Sequence, residues 1–255
     1  MLHEQPVAAD EAVPLFVDVD GTLTRADISL ESFVRIARSG VLAVIALLGW
    51  LVSGRAIAKT MAARRDPVDP AQLPYRQEVL DLIEQARQDG RSVILASASH
   101  RRNILRIARH LGLPGPVIAT RGRTNLKSEV KLAAIRQRIG PEAPFDYIGD
   151  SKADQCLWRE ARQSWSVGYL PASGRVKRLG KARPGLMRAL AKAARPHQWA
   201  KNGLVLVPAF TSGEFTEPTV FLKALGAAVL MSVIASSIYL LNDLLDIDSD
   251  RAHRT

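Results

Sequence analysis

The sequence predicts an α/β fold: a doubly wound parallel sheet with an inserted helical cap, followed by a membrane α-helical hairpin. Short, continuous apolar runs alternate with helix-like stretches from about residue 12 to residue 170, as in parallel sheets covered on both faces. One all-helical segment interrupts this alternation after the first run. Near the end of the chain, residues 224–241 are eighteen consecutive uncharged residues. As a helix they would extend about 27 Å, which matches a bilayer core.

Five apolar runs are predicted to form the strands, with helices between most of them. The predicted strands are residues 14–19, 92–95, 116–119, 147–148 and 164–169, and the predicted helices are residues 76–88, 101–111 and 128–139. A glycine follows each of these helices (Gly90, Gly112 and Gly140), and glycine adopts the left-handed conformation that ends many helices. Such an alternation predicts right-handed crossovers and a ligand site beyond the carboxyl ends of the strands.

The interrupting segment, residues 29–69, contains the apolar stretch Val41–Val52. Twelve apolar residues are too few for an ordinary membrane span, which needs about 20. We therefore expect a buried helix of an inserted cap. The alternative is a helix at a membrane surface, because a group of cations follows directly: Arg55, Lys59, Arg64 and Arg65.

The positive charge of the chain is concentrated in one window. The net charge is +10, and ten cations with no acidic residue lie between Glu160 and Glu214. An apolar segment follows, which favours a cytoplasmic membrane boundary under the positive-inside rule. Aromatic residues make up only 5% of the chain and no recognised nucleic-acid module is present, so nucleic-acid binding is not expected. Cys156 is the only cysteine, which excludes an intrachain disulfide and a cysteine-based zinc cluster.

The region after residue 170 is predicted to be a basic linker, residues 171–185, followed by the membrane hairpin. The first helix of the hairpin would begin near Pro196, since proline suits the first turn of a helix, and would include the apolar residues 203–210. The second helix would be residues 224–241. Both ends of the hairpin would then lie on the cytoplasmic side.

Two pairs of carboxylates are predicted at the carboxyl ends of two strands. Asp18 and Asp20 end the first strand, and Asp150 and Asp154 follow a later one. Because residues i and i+2 of a strand point the same way, Asp18 and Asp20 would repel each other unless a cation or a shared proton lies nearby. Hard oxygen ligands of this kind suit Mg²⁺.

These residues resemble the four motifs of the haloacid dehalogenase-like (HAD) phosphatase superfamily, in the same order. The motifs are Asp18-x-Asp20-Gly21-Thr22, a strand ending at Ser97, Lys127 at the start of a helix, and Gly149-Asp150-x-x-x-Asp154. The resemblance covers residues 12–170, and the insertion, about residues 25–75, is similar to the helical cap of the phosphoserine phosphatase-like branch.

The resemblance implies a role for each motif. Asp18 would be the nucleophile that forms an aspartyl-phosphate, and Asp20 the general acid and base. Ser97 and Lys127 would bind phosphate oxygens, with Ser99 and Lys131 as the alternatives. The Mg²⁺ ligands would come from four positions: Asp18, Asp20 (through its carbonyl), Asp150 and Asp154.

A second group of acids follows the apolar residues 224–241. Asp243, Asp246 and Asp250 would lie within about 60° on one helix face, with Asn242 beside them. The motif Asn242-Asp243-x-x-Asp246-x-x-x-Asp250 resembles the first aspartate-rich motif of UbiA-type prenyltransferases. The stretch from Arg195 to Asn202 is similar to the opening of their first helix, especially in the decaprenyl-phosphate phosphoribosyltransferase-like branch.

This second resemblance covers residues 186–255 and implies a site for Mg²⁺ and a polyprenyl phosphate or diphosphate, with Lys201 and Asn202 facing the same cavity. UbiA-type enzymes have more spans and a second aspartate motif, so the transferase part is expected to be incomplete. The predicted protein is a HAD-type phosphatase joined to a UbiA-type transferase, acting on a phosphorylated small molecule or lipid. Its expected location is the inner (cytoplasmic) membrane, as a multi-pass protein with the HAD domain facing the cytoplasm. In the alternative, the transferase is the main activity and the HAD domain is regulatory.

Overall fold

The computed structural model describes residues 13–113, 115–122, 124–172, 174–181, 186–213 and 215–245. The chain divides into two compact units, Met1–Arg183 and Pro184–Thr255, and each unit is described by itself below.

The first unit is built on a six-stranded sheet in which all neighbouring strands are parallel. The strands are β1 (Leu15–Val17), β2 (Val93–His100), β3 (Ile118–Thr120), β4 (Asp146–Gly149), β5 (Gln163–Ser166) and β6 (Val176–Arg178). Their order across the sheet is β3-β2-β1-β4-β5-β6. The chain order reverses between β1 and β4, and this reversal is where doubly wound sheets form ligand sites. The predicted parallel α/β sheet is therefore confirmed.

Both faces of the sheet are covered, because successive residues of β1 point to opposite sides. Leu15 and Val17 belong to one buried cluster, with apolar residues of α4 (Gln77–Gln88) and α5 (Arg101–His110). Phe16 belongs to a second cluster, with residues of α6 (Glu129–Ile139) and α7 (Gln155–Glu160). Two hydrophobic layers thus enclose the sheet and fix the ends of its strands.

The insertion after β1 forms three helices, which agrees with the predicted helical segment. They are α1 (Ile28–Arg38), α2 (Val41–Val52) and α3 (Arg55–Arg65). The burial of α2 differs from the expectation of a buried helix, since only Ala43 and Leu47 of its residues are buried. The helix contacts α1 and α3 with one narrow face, so the other apolar side chains remain exposed.

The predicted basic linker, residues 171–185, is not a simple connection between the two units, because it contains the strand β6. This strand pairs with β5 at the edge of the sheet, and Val176 is buried while Lys177 and Arg178 are exposed. Because β6 has only one apolar residue, it does not form an apolar run from which a strand could be predicted. Cations on an edge strand are a common protection against pairing with other chains.

A buried carboxylate ties the amino-terminal end of β4 to its neighbours. Asp146 is fully buried and accepts hydrogen bonds from Arg162 Nε at 3.0 Å and from Gln163 N at 3.0 Å. It also forms an ion pair with Arg91. This cluster lies at the end of β4 opposite to Asp150.

The second unit contains helices throughout its described residues. They are α8 (Leu186–Ala193), a 3₁₀ helix (Pro196–Leu206), α9 (Val207–Thr211) and α10 (Pro218–Leu245). Among the described residues, α10 is the one helix that is long and apolar enough to cross a membrane, and its candidate span is Pro218–Asp243. Residues 224–241 are therefore helical, as predicted, whereas the first span of the hairpin stays a prediction.

Candidate functional site

Asp18 and Asp20 lie directly after β1, in a tight turn at the carboxyl edge of the sheet. The backbone N–H of Asp18 donates to Ile148 O of β4 at 3.0 Å, and Leu23 N donates back to Asp18 O at 3.2 Å. Gly21 within this turn has a φ of +75°, and a Cβ there would lie 2.5 Å from Asp150 Oδ2. The turn therefore requires glycine both for its conformation and for the close approach of Asp150.

Lys131, in the first turn of α6, supplies a buried positive charge to the site. Its Nζ donates to Asp18 Oδ1 at 2.9 Å and lies 3.6 Å from Asp154 Oδ1. Burial alone would lower the pKa of Lys131, but the charges of Asp18 and Asp154 outweigh it and raise the pKa. The lysine therefore remains charged and screens the two carboxylates from each other.

Of the two candidate lysines, Lys131 is thus the one that contacts Asp18. Lys127 lies in the loop before α6, where it is exposed and lines the mouth of the same cavity. The chain turns sharply between them, since Ser128 has a φ of +50°. The spacing of residues along the sequence does not reveal this turn. Because of the turn, Lys127 is exposed whereas Lys131 is buried.

Tyr147 of β4 joins the lysine to the fourth motif, and the motifs alone did not indicate it. Its hydroxyl accepts from Lys131 Nζ at 3.0 Å and donates to Asp154 Oδ1 at 2.8 Å. Burial, followed by the charges of Asp154 and Asp18, raises the pKa of Tyr147 well above its ordinary value. The hydroxyl is therefore a fixed, neutral hydrogen-bonding group.

Three carboxylates converge beside Lys131. Asp18, Asp150 and Asp154 each place one oxygen within 4.8 Å of the others. Asp154 Oδ2 also accepts hydrogen bonds from the backbone N–H groups of Asp150 at 3.2 Å and Ser151 at 3.0 Å, which fix its orientation. A set of oxygen donors from two strand ends fits Mg²⁺. The side chain of Asp20 is not part of this cluster.

Asp20 is held apart from the cluster by hydrogen bonds to both of its oxygens. Ser97 Oγ donates to Oδ2 at 2.7 Å, and Ile28 N donates to Oδ1 at 2.9 Å. Burial, then the charge of Asp27, raises the pKa of Asp20, while the hydrogen bond from Ser97 opposes the rise. A carboxyl group with a raised pKa is suited to proton transfer.

The two serines of β2 occupy different places. Ser97 is fully buried and orients Asp20, whereas Ser99 lines the cavity and shares a 3.0 Å hydrogen bond with Ser29 Oγ of the cap. The Ser99 backbone N–H donates to Ser97 Oγ at 2.9 Å. The structure therefore brings both candidates to the site, with Ser99 on the side open to a substrate.

The pKa of Asp18 is raised from 3.8 to about 7. Burial is the largest cause, the charge of Lys131 opposes it, and the charges of Asp154 and Asp20 add to it. A divalent cation among the carboxylates would favour the ionised form of Asp18 in the same way as Lys131 does, but with twice the charge.

These groups surround a cavity of about 470 Å³, and basic side chains contribute much of its rim. Lys59 of α3 reaches the site from the cap, where its Nζ donates to Ala98 O at 2.7 Å and Asn125 Oδ1 at 3.3 Å. Burial lowers the pKa of Lys59, and the charges of Asp20 and Asp27 oppose this effect. Three further cations line the cavity: Arg25, Arg76 and Lys127. A cavity with carboxylates at its base and cations at its rim suits an anionic substrate.

The second predicted site is only partly described. Asp243 pairs with Arg195, whose guanidinium lies 2.7 Å from Asp243 Oδ1, while Asn242 and Lys201 are exposed. Asn202 donates to Ser232 Oγ at 3.0 Å. Ser232 precedes Asp243 by eleven residues in α10, which corresponds to about 16 Å along the helix. Asn202 and Asp243 are therefore not brought together. Asp246 and Asp250 lie outside the described residues.

Comparison with known families identifies the first unit. The sequence profile of the haloacid dehalogenase-like hydrolases matches residues 15–159. The chain belongs to this family. Its HAD-like domain thus has the predicted hydrolase fold. The residues of the four motifs converge at one edge of the sheet.

Two relatives extend the comparison beyond the HAD-like domain. The uncharacterized protein y4nM of Sinorhizobium fredii is 33% identical over 255 residues, which cover 96% of this chain and 49% of y4nM. Decaprenyl-phosphate phosphoribosyltransferase of Mycolicibacterium smegmatis is 47% identical over 74 residues, which cover 28% of this chain and 23% of that enzyme. The chain therefore spans about half of the first relative and about a quarter of the second.

Among solved structures, a substrate-bound phosphoserine phosphatase complex is similar to this chain with a TM-score of 0.45 and 11% sequence identity. The match covers 72% of this chain and 99% of that one.

Proposed function

We propose that the HAD-like domain is a Mg²⁺-dependent phosphatase that works through an aspartyl-phosphate on Asp18. The observation that carries the proposal is the 2.9 Å contact between Lys131 Nζ and Asp18 Oδ1, beside an oxygen cluster of Asp18, Asp150 and Asp154. A nucleophilic carboxylate, a fixed cation and a site for a divalent cation are the parts that phosphoryl transfer to an aspartate needs.

Asp18, Asp150 and Asp154, with the carbonyl of Asp20, would hold Mg²⁺. The ion would neutralise charge on the phosphoryl oxygens and on Asp18. Lys131 contributes a second fixed positive charge next to the attacking oxygen, and Tyr147 holds the ammonium group in place. Ser99 and Lys127 face the cavity where the remaining phosphoryl oxygens would lie.

The reaction would proceed in two steps. In the first, an Asp18 carboxylate oxygen bonds to phosphorus and the ester P–O bond breaks, while Asp20 gives its proton to the leaving oxygen. In the second, Asp20 takes a proton from water, the water oxygen bonds to phosphorus, and inorganic phosphate leaves Asp18. The raised pKa of Asp20 and its hydrogen bonds to Ser97 and Ile28 support this acid and base role.

The test is hydrolysis of p-nitrophenyl phosphate by the purified chain with Mg²⁺. The Asp18→Asn variant should lose turnover entirely, because an amide is not a nucleophile for phosphorus. The same loss should follow removal of Mg²⁺ with a chelator and be reversed by adding the ion. Equal turnover by wild type and a folded Asp18→Asn variant would contradict the proposal.

We further propose that the second unit is the beginning of a UbiA-type transferase and attaches the phosphatase to the inner membrane. Only 11% of the apolar window in Pro218–Asp243 is buried, unlike the core helix of a soluble protein. Trp199 and Asn202 donate hydrogen bonds to Ser236 and Ser232 of α10, a common form of helix contact in membranes. The basic window that precedes α10 supports a cytoplasmic position of the HAD-like domain.

The similarity to decaprenyl-phosphate phosphoribosyltransferase favours a second candidate, in which phosphoribosyl transfer is the main activity and the HAD-like domain is regulatory. A purified protein in which this chain is joined to the further spans of such a transferase would then convert polyprenyl phosphate and phosphoribosyl diphosphate into a polyprenyl-phosphate ribose 5-phosphate, with release of diphosphate. Asp243→Asn should abolish this product and Asp18→Asn should not. Absence of transfer by that longer protein, with hydrolysis of p-nitrophenyl phosphate retained, would leave the phosphatase as its activity.

A further inference from the structure

The cap helix α2 differs from the other helices of the HAD-like domain in its surface. Its sequence, VLAVIALLGWLV, contains no charged residue, and the Trp50 indole is its only polar side-chain group. The most exposed side chains are Leu42 at 83% and Val52 at 90%, one near each end of the helix. Large apolar side chains between them are exposed as well: Val44, Ile45, Leu48 and Leu51.

The contacts of α2 are mainly with the two other cap helices, α1 and α3. Ala43 packs with Ile36 of α1 and Ala62 of α3, and Phe33 and Trp50 border this small cluster. By contrast, α5 buries Ile104 and Ile107, while three of its arginines are exposed, namely Arg102, Arg106 and Arg109. An amphipathic surface helix follows the second pattern. The exposed face of α2 therefore needs a partner that accepts apolar side chains along the whole helix.

A lipid bilayer fits this face better than another protein. A protein interface normally has polar groups around its apolar centre, whereas the Trp50 indole is the only polar side-chain group of α2. Cations stand next to the helix, since Arg55 begins α3 and is exposed, and Arg64 and Arg65 end it. Apolar side chains bordered by cations are typical of helices that lie in the surface of anionic membranes.

The length of α2 sets how it would enter the bilayer. Twelve residues extend about 18 Å, well below the roughly 30 Å of the hydrocarbon core, so the helix would lie in the interface. The same chain carries the candidate membrane span Pro218–Asp243. That span would already bring the chain to a bilayer, so α2 would not have to bind the membrane by itself.

The position of α2 in the cap connects this surface to the catalytic cavity. After α2 the chain turns at Gly54 into α3, and Lys59 of α3 lines the cavity that contains Asp18. We propose that α2 is an interfacial membrane helix that holds the catalytic cavity at the bilayer surface, so that the substrate is the phosphate monoester of an amphiphilic lipid. The substrate class rests on the proposed phosphatase function, whereas the membrane contact does not.

The membrane contact can be measured on the full chain by fluorescence, because Cys156 is the only cysteine. In a Cys156→Ser background, Leu42→Cys and Val52→Cys would each be labelled with an environment-sensitive fluorophore. Gln88→Cys, at the exposed end of α4, is the matched control. The proteins would be reconstituted into vesicles of phosphatidylcholine and phosphatidylglycerol, with and without brominated acyl chains.

We expect a blue shift and quenching by the brominated chains at positions 42 and 52, and neither at position 88. A label at 42 or 52 that behaves like the label at 88 would overturn the proposal. A blue shift without quenching would also overturn it, since it would show burial against protein, such as a second copy of the chain.

The substrate class is tested with a triple variant, Leu42→Glu with Ile45→Glu and Leu48→Glu, at positions outside the catalytic cavity. Turnover of a polyprenyl phosphate in vesicles should fall about tenfold, as one lost interaction of about 1.4 kcal/mol would give. Turnover of p-nitrophenyl phosphate should be unchanged. Equal turnover of the lipid by wild type and variant would overturn the substrate class. A wild type that hydrolyses neither substrate would instead overturn the phosphatase function and leave the fluorescence result standing.

Discussion

The carboxylates at the catalytic cavity and the aspartate at the end of α10 have very different surroundings. Lys131 and Asp18 have side-chain exposures of 4% and 10%, and Tyr147 and Asp154 complete a buried network around them. Arg195 and Asp243 form an ion pair of similar length, but their exposures are 41% and 45%. Charges buried together interact strongly and must be balanced within the fold, whereas exposed charges are balanced by water and salt.

This difference indicates that the HAD-like domain supplies its own site, since its four motifs meet at one edge of the sheet and Lys131 of α6 provides the buried counter-charge. In the second unit, Asp243 lies near the end of α10, and the predicted transferase site there would need partners from other helices. A comparison of substitutions in the two regions can therefore separate a preformed site from an incomplete one.

The largest expected effect comes from removing the buried cation. Lys131→Met should lower kcat for p-nitrophenyl phosphate by about 10²–10³-fold, the usual result of losing one preorganised charge at a developing anion. Lys127→Met removes an exposed charge at the rim, and we expect a loss of about tenfold or less. Asp243→Asn is the control from the other region and should leave kcat unchanged. A larger loss for Lys127→Met than for Lys131→Met would show that the rim lysine has the main role.

A smaller effect is expected on stability, measured by denaturant unfolding of the HAD-like domain within the full chain. Asp146→Asn removes the fully buried partner of Arg91 and Arg162. We expect a loss of about 2–3 kcal/mol, below the usual range of about 3–5 kcal/mol because Arg162 is half-exposed. Asp243→Asn breaks an exposed pair and should cost at most about 1 kcal/mol. Equal effects would show that burial does not distinguish the two regions.

The smallest expected effect is a pH dependence of Mg²⁺ binding, measured as the rise in Tm on adding the ion. The pKa of Asp18 is raised from 3.8 to about 7, so protonation of this group favours the folded state. That contribution is fully present below about pH 4 and is lost as the pH rises through about 7. Since Mg²⁺ competes with the proton for Asp18, the ion should raise Tm more at pH 8 than at pH 6. Asp18→Asn should remove this difference between the two pH values, and its persistence in the variant would assign it to another group.

The strand-end motifs could be predicted from the sequence because parallel strands bring their carboxyl ends to one edge. That rule placed Asp18, Asp20, Asp150 and Asp154 close together without knowledge of any contact. It did not distinguish Lys127 from Lys131, because the choice depends on the backbone turn at Ser128. Tyr147 was missed because a tyrosine in a buried strand is ordinarily a core residue, and only its hydroxyl contacts show its role.

The surfaces were harder to predict than the site. Periodicity in a sequence shows which face of a helix is apolar and which is polar. The run Val41–Val52 is apolar on every face, so its sequence does not show whether the helix is buried or exposed. Arg195 was one cation among ten in its window, and its contact with Asp243 depends on how the helices of the second unit pack. Both features are set by tertiary contacts that the local sequence does not encode.

The contact between Lys131 and Asp18 joins residues 113 positions apart, and this separation constrains when the domain can complete its folding during synthesis. At about 5–20 residues per second, the lysine is made roughly 6–23 s after the aspartate. During that interval the carboxyl end of β1 has no buried cation beside it, and the charge of Asp18 must stay in water. Closing so long a loop before any contact is gained is slow. The edge that becomes the catalytic cavity is therefore expected to be among the last parts of the nascent domain to exclude solvent.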